Sequence, residues 1–237
     1  MKDYFKISAL SIFLFAPFLA QAHGYWIELK GSGKTNEPVQ VQVFFGDYAH
    51  GKRERGATLD KMADIKITVV GPDGEKMTVA TTQTNTHWEG SFTPPKVGYY
   101  QVLGINDTRD VQDWTKRNMG IVRPVQFLRA DYVVGEAADW TVSPQQLDVV
   151  ARAEGNTVGL RVLRDGKGLA NSSVNVVNPQ GWERRCQTNE QGRTSFAANQ
   201  KGMYIVELEW IDKTPGTFNG KPYEQTRYRC DMTQVVQ

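Results

Sequence analysis

From Pro38 to Gly46 the chain alternates Val39, Val41, Val43 and Phe45 on one side with Gln40, Gln42 and Phe44 on the other. That period of two predicts a half-buried β-strand. Residues 65–79, IKITVVGPDGEKMTV, place two similar runs around Pro72-Asp73-Gly74. Proline presets φ there and glycine accepts a positive φ, so the stretch reads as a hairpin. Strand-like runs recur at 99–105, 122–128, 157–163, 172–178, 193–198 and 203–211, spaced by Gly, Pro, Asn and Asp. Helical periodicity is sparse. Short strands at this spacing predict an all-β chain of antiparallel sheets packed as sandwiches.

A weak internal repeat suggests two units of the same kind. Val69-Val70-Gly71-Pro72-Asp73-Gly74 is followed by Phe92, Gly98 and Tyr100; Val176-Val177-Asn178-Pro179-Gln180-Gly181 is followed by Phe196, Gly202 and Tyr204. A strand ending in Gly-x-Tyr occurs in immunoglobulin-like sandwiches, where the tyrosine hydroxyl ties a corner to backbone. The expected architecture is therefore two tandem immunoglobulin-like β-sandwich domains, residues 23–140 and 141–237. Their boundary falls in the small, polar and Pro-containing stretch around residues 135–150. Residues 46–64 and 106–120 interrupt the strand pattern as long connections, the second expected to hold a turn of helix.

The start of the chain follows a different pattern. Residues 1–22 carry Lys2 and Lys6, then an apolar block broken by Pro17, and end on Ala20-Gln21-Ala22. This is the form of a cleaved secretory signal peptide, and the block is shorter than the roughly 20 residues of a spanning helix. The expected location is the periplasm. Subtracting Lys2, Lys6 and Asp3 from 28 basic and 26 acidic residues leaves 26 against 25. Interspersed charges in such balance argue against nucleic acid or an anionic membrane as the main partner. Cys186 and Cys230 are the two cysteines of the chain. An even pair in an oxidising compartment is expected to form a disulfide, and closing a loop of that length is worth roughly 4 kcal/mol in the chain-entropy model.

Three histidines, His23, His50 and His87, all lie in the first half, and they are the candidate metal ligands. Cleavage after Ala22 would make His23 the N-terminal residue, so that its α-amine and ring Nδ1 could chelate one ion. His50 or His87 would then complete a site suited to Ni, Co or Cu. Each also has an ordinary reading: a frayed terminus, a loop residue, and a ring packed on Trp88. Asp47 and Glu54 flank His50 as possible oxygen ligands, with solvated loop charge their default reading. Tyr25, Trp26, Trp88 and Trp114 could wall such a site or simply fill sheet faces. No HExxH, GxSxG, P-loop or GxGxxG pattern is present, so no enzyme activity is expected.

The stretch AHGYWIEL, with the His-containing turn after VQVFFG, resembles a bacterial periplasmic family that carries a domain of unknown function. That family is grouped with the periplasmic component of nickel and cobalt uptake systems of the energy-coupling-factor type. The resemblance rests on His23, Tyr25 and Trp26. It implies capture of a divalent transition metal and delivery to an inner-membrane transporter component. Two features depart from the family: Gly24 stands where many members have an acidic residue, and His50 follows Asp47-Tyr48-Ala49 in place of a close Gly-His pair. Residues 188–208 resemble carboxypeptidase-regulatory-like sandwiches, which implies fold alone. Two alternatives stand beside the Ni/Co carrier. One is a histidine-brace copper protein, either chaperone or oxidase; the other is a metal-free sandwich that presents loops to a membrane partner.

Overall fold

The computed structural model describes residues 23–136 and 144–237. The signal-peptide reading of residues 1–22 and the boundary at 140/141 lie outside them. Within them the chain is an all-β sandwich fold. The first half supplies β1 (Gly24–Lys30), β2 (Val39–Asp47), β3 (Lys66–Val70), β4 (Lys76–Val79), β5 (Trp88–Phe92), β6 (Gly98–Asn106) and β7 (Ile121–Val134). The second supplies β8 (Leu147–Glu154), β9 (Thr157–Arg164), β10 (Ser173–Val177), β11 (Glu183–Gln187), β12 (Arg193–Ala197), β13 (Gly202–Asp212) and β14 (Gln225–Val236). Shorter pairs decorate these, and 3-10 segments occur at Gly56–Met62, about two turns, and at Thr115–Arg117, one turn.

One long sheet runs through both halves in the order β11-β10-β13-β14-β7-β6-β3-β4. Its neighbours are antiparallel except at the centre, where β7 and β14 run parallel from Val122↔Gln225 to Ala130↔Thr233. Two small sheets, β1-β2-β5 and β8-β9-β12, complete the layers. Side-chain alternation along β7 shows which face each covers. Val125 and Phe127 join a core with Leu147, Val149, Leu160 and Leu208; Leu128, Ala130 and Val134 join another with Ile27, Val41, Val43 and Val102. Successive strand residues point to opposite faces. The two small sheets therefore sit on opposite faces of the long one, each over its own half.

The repeated sequence pattern recurs in three dimensions. Tyr100 Oη donates to the Lys96 carbonyl at 2.8 Å and accepts from its N–H at 3.1 Å. Tyr204 makes the same pair with Gln200 at 3.0 and 3.3 Å. In front of them, a Cβ on Gly98 would lie 2.5 Å from the Pro72 ring, and one on Gly202 2.9 Å from Pro179. Each Gly-x-Tyr thus ends one edge of its sandwich by packing glycine against the hairpin proline and tying the phenol to backbone.

A third apolar cluster joins the halves. Trp26 and Phe44, on the side of β1-β2-β5 facing away from its own core, pack with Val177 and Ile205 of the second half. Tyr48 donates its hydroxyl to the Met203 carbonyl. At Gly181, φ is +83° and a Cβ would sit 1.9 Å from the Ala49 carbonyl oxygen, so the turn between β10 and β11 meets that loop backbone to backbone.

The expected disulfide is corrected by the register. Cys186 pairs with Val174, Val174 with Leu208, and Leu208 with Cys230. The cysteines share one row and one core but stand three strand spacings apart, about 14 Å, whereas bridged Cα atoms lie within about 7 Å. Both are buried free thiols that fill the core as small hydrophobes. Burial pushes the Cys230 thiol well above the usual cysteine range, with Asp148 and Asp231 adding to it.

Two outcomes follow. A thiol-reactive probe should label neither cysteine in the native protein and both after denaturation without reductant; a single oxidised pair on unfolding would contradict the register. Trp26→Ala should cost about 3–5 kcal/mol in denaturant melts, because the ring, 2% exposed, fills the seam between the halves.

Candidate metal-binding terminus

Glu54 reaches His23 because of a tight hairpin in DYAHGKRE. Gly51, at φ +64°, closes the turn by donating to the Tyr48 carbonyl, and Lys52–Arg53 pairs back onto Gly46–Asp47. Glu54 N–H then donates to the Phe45 carbonyl at 2.8 Å. Strand alternation sends Arg53 to one face, where its guanidinium lies 4.0 Å from the Phe44 ring centroid and bonds Glu28. Glu54 falls on the other face beside His23, with 2.9 Å between His23 Nε2 and Glu54 Oε1. Lys52 is also 2.9 Å from Glu54 Oε1. The hydrogen bond from Lys52, followed by that from His23, holds the Glu54 carboxyl below the usual glutamate range. The His23 ring stacks on Phe45 at 5.3 Å, and Lys61 Nζ, from the 3-10 segment, lies 3.6 Å from the centroid of the Phe45 ring.

Behind His23 the backbone is held by buried charge. Arg229 spans Asp231 at 2.8 Å and Glu207 at 2.7 Å, and its Nη1 donates to the His23 carbonyl at 3.3 Å. Asp231, 1% exposed, accepts from Tyr25 N–H and from the Gln126 amide, both at 3.2 Å. Burial, with Asp231 nearby, raises the Glu207 carboxyl above its usual range, while Arg229 opposes that shift. Gly24 makes room for this network: a Cβ there would lie 2.8 Å from Arg229 Nη2 and 3.3 Å from Glu207 Oε1.

The three histidines do not converge. His23 shares its face of β1-β2-β5 with Phe45 and Tyr25; His87 lies on the opposite face, its ring 4.9 Å from Phe44. Both nitrogens of His87 are already engaged, Nδ1 with Thr86 Oγ1 at 2.8 Å and Nε2 with Gln42 at 2.9 Å and Glu89 at 3.2 Å. His50 lies in the loop after β2 with its ring exposed, Nδ1 on Asp47 Oδ2 at 2.9 Å. Among the described residues no three His, Cys, Asp or Glu side chains gather in a way that could hold a metal ion. The expectation of one site built from His23, His50 and His87 is corrected on that geometry. Asp47 is a buried anchor for its loop, and Glu54 is the partner of His23. Trp26 is a packing residue at the seam, and Trp88 donates its Nε1 to the Leu59 carbonyl while packing against the core of Ile27, Val41 and Val43.

Gly24→Asp should destabilise the fold by about 1–3 kcal/mol, the usual cost of overpacking, by displacing Arg229. A chemical melt that matches the parent would show that Arg229 does not occupy that space.

Comparison with known proteins adds a family. No curated protein matches the chain. Among solved structures it is similar to the dimeric latent PorU from Porphyromonas gingivalis at 14% identity, over 93% of this chain and 21% of that one, with a TM-score of 0.22. The chain thus spans 21% of that protein's length, and so low a score carries no argument about fold or activity. The family match covers residues 20–212, and on it the chain belongs to the family described as Domain of unknown function (DUF4198).

Proposed function

We propose that this protein is a periplasmic carrier of a divalent transition metal, Ni or Co, and that the ion is bound by the processed N-terminal residue His23 and passed to an inner-membrane transporter. The observation that supports this reading is the 2.9 Å contact between His23 Nε2 and Glu54. An ionised carboxylate only accepts, so a neutral ring carries its proton on Nε2 and keeps the Nδ1 lone pair. Nδ1 is the ring nitrogen that can chelate together with the α-amine of the same residue once residues 1–22 are removed. Glu54 then acts as the outer partner that orients the ring and raises its donor strength, as carboxylates do for metal-bound imidazoles.

The Arg229 and Asp231 contacts at residues 23 and 25 support a terminus held in place, where most chain ends fray. His23 offers two nitrogens, and neither other histidine stands ready to add a third. Remaining ligands would come from water or the receiving protein, an arrangement suited to cargo that must leave. Lys52 and Lys61 offset the negative field of Glu54, so affinity rests on nitrogen donation more than on charge. The histidine-brace copper reading needs a second imidazole beside His23, which the opposite placement of His87 does not supply.

Titration calorimetry with Ni(II) on correctly processed protein should give one site. One extra residue before His23 should weaken it by roughly tenfold or more, since the amine is moved out of the chelate. Affinity should fall on acidification, because protons compete with the metal for nitrogen donors. Equal affinity in the extended form, or a flat pH profile, would sink the assignment.

A further inference from the structure

The small sheet β8-β9-β12 covers only the second half of its face of the long sheet, so among the described residues no sheet lies over the first half of that face. Register places Lys66, Ile105 and Phe127 in one row there and Thr68 beside Leu103 in the next. The result is a groove of about 440 Å³, with Gln146 at the start of β8 as one bank. That volume lies in the range of small-molecule sites, about 300–1,000 Å³.

The floor is apolar: Leu103, Ile105, Val125 and Phe127, with Tyr228 at one end. The rim carries Lys66, Lys76 and Arg123 against a single acid, Asp107. Among the described residues none of these three cations has a carboxylate partner. The Arg123 guanidinium rests on the Phe218 ring at 4.2 Å and reaches the Asp107 carbonyl at 3.5 Å, and its buried Nε has no acceptor among the described residues. A stacked guanidinium with no carboxylate partner among the described residues, beside an apolar floor, suits an anion with an apolar body, because a carboxylate offers the planar pair of oxygens that an arginine fork matches.

We propose that this groove binds a small amphipathic anion, an aryl or alkyl carboxylate whose body lies on Leu103, Ile105 and Phe127 and whose carboxylate meets Arg123 and Lys66. The site is on the face of the long sheet away from His23, so its occupancy is independent of metal. Its failure and the failure of the metal reading are therefore separate results.

The probe is phenylbutyrate, with phenylbutyramide as its uncharged counterpart, titrated calorimetrically into the full processed chain. Saturable one-site binding is expected, weakened roughly tenfold or more for the amide and for Arg123→Gln, and partly restored in Arg123→Lys. Thr68→Trp, which fills the floor from a partly exposed position, should abolish it. Thermal melts identify any variant that fails to fold. If Arg123→Gln does so, Thr68→Trp decides. Absence of saturable binding, equal binding of the amide, or unchanged binding in Thr68→Trp would overturn the proposal.

Discussion

The parallel pairing of β7 with β14 is the constraint on which the rest of the structure depends. Two strands that run the same way in one sheet, each closing a half with the same strand order, can be related only by a half-turn about an axis along the strands. That rotation reverses the faces. It sets the two small sheets on opposite sides of the long one, buries β7 and β14 on both faces, and leaves each half with one surface that, among the described residues, no small sheet of its own covers. The seam of Trp26 and Phe44 against Val177 and Ile205 fills one of these surfaces, and the cationic groove lies on the other.

Burial on both faces brings charge into the interior, where it must be paired. Arg129, fully buried on β7, is held by Asp131 and Asp148. Arg229 on β14 is held by Asp231 and Glu207, and spends its remaining nitrogen on the His23 carbonyl. Losing one partner of such a pair costs about 3–5 kcal/mol, because the remaining charge stays buried. The segment that carries the proposed ligand is therefore tied to buried charges of the central sheet, and Gly24 is the residue small enough to allow it.

Much of the fold was legible from local pattern. The alternation of Val39 to Phe45 places the same side chains inward that the sequence assigns, and the two Gly-x-Tyr corners make the backbone bonds they predict. What escaped was long-range. Pro124 and Arg129 interrupt the apolar run of β7 and conceal a central strand, and nothing local encodes its parallel partner about a hundred residues away. The cysteine pair failed for a related reason: both thiols lie in one core and one row, but strand order set them three strands apart.

The histidines show the same limit. His23 and His87 are separated by a sheet whose faces a linear reading cannot assign, while the partner that matters, Glu54, was visible only as a loop acid near His50. The candidate ligand set therefore narrows from three histidines to His23, with its amine and its carboxylate support. Paramagnetic broadening of backbone amide signals by substoichiometric Ni(II) or Co(II) tests this most directly in the processed chain. Loss should begin at Tyr25, Phe45 and Glu54 and spare the neighbours of His50 and His87. Broadening centred on Asp47 to Gly51, or on Thr86 to Glu89, would contradict it.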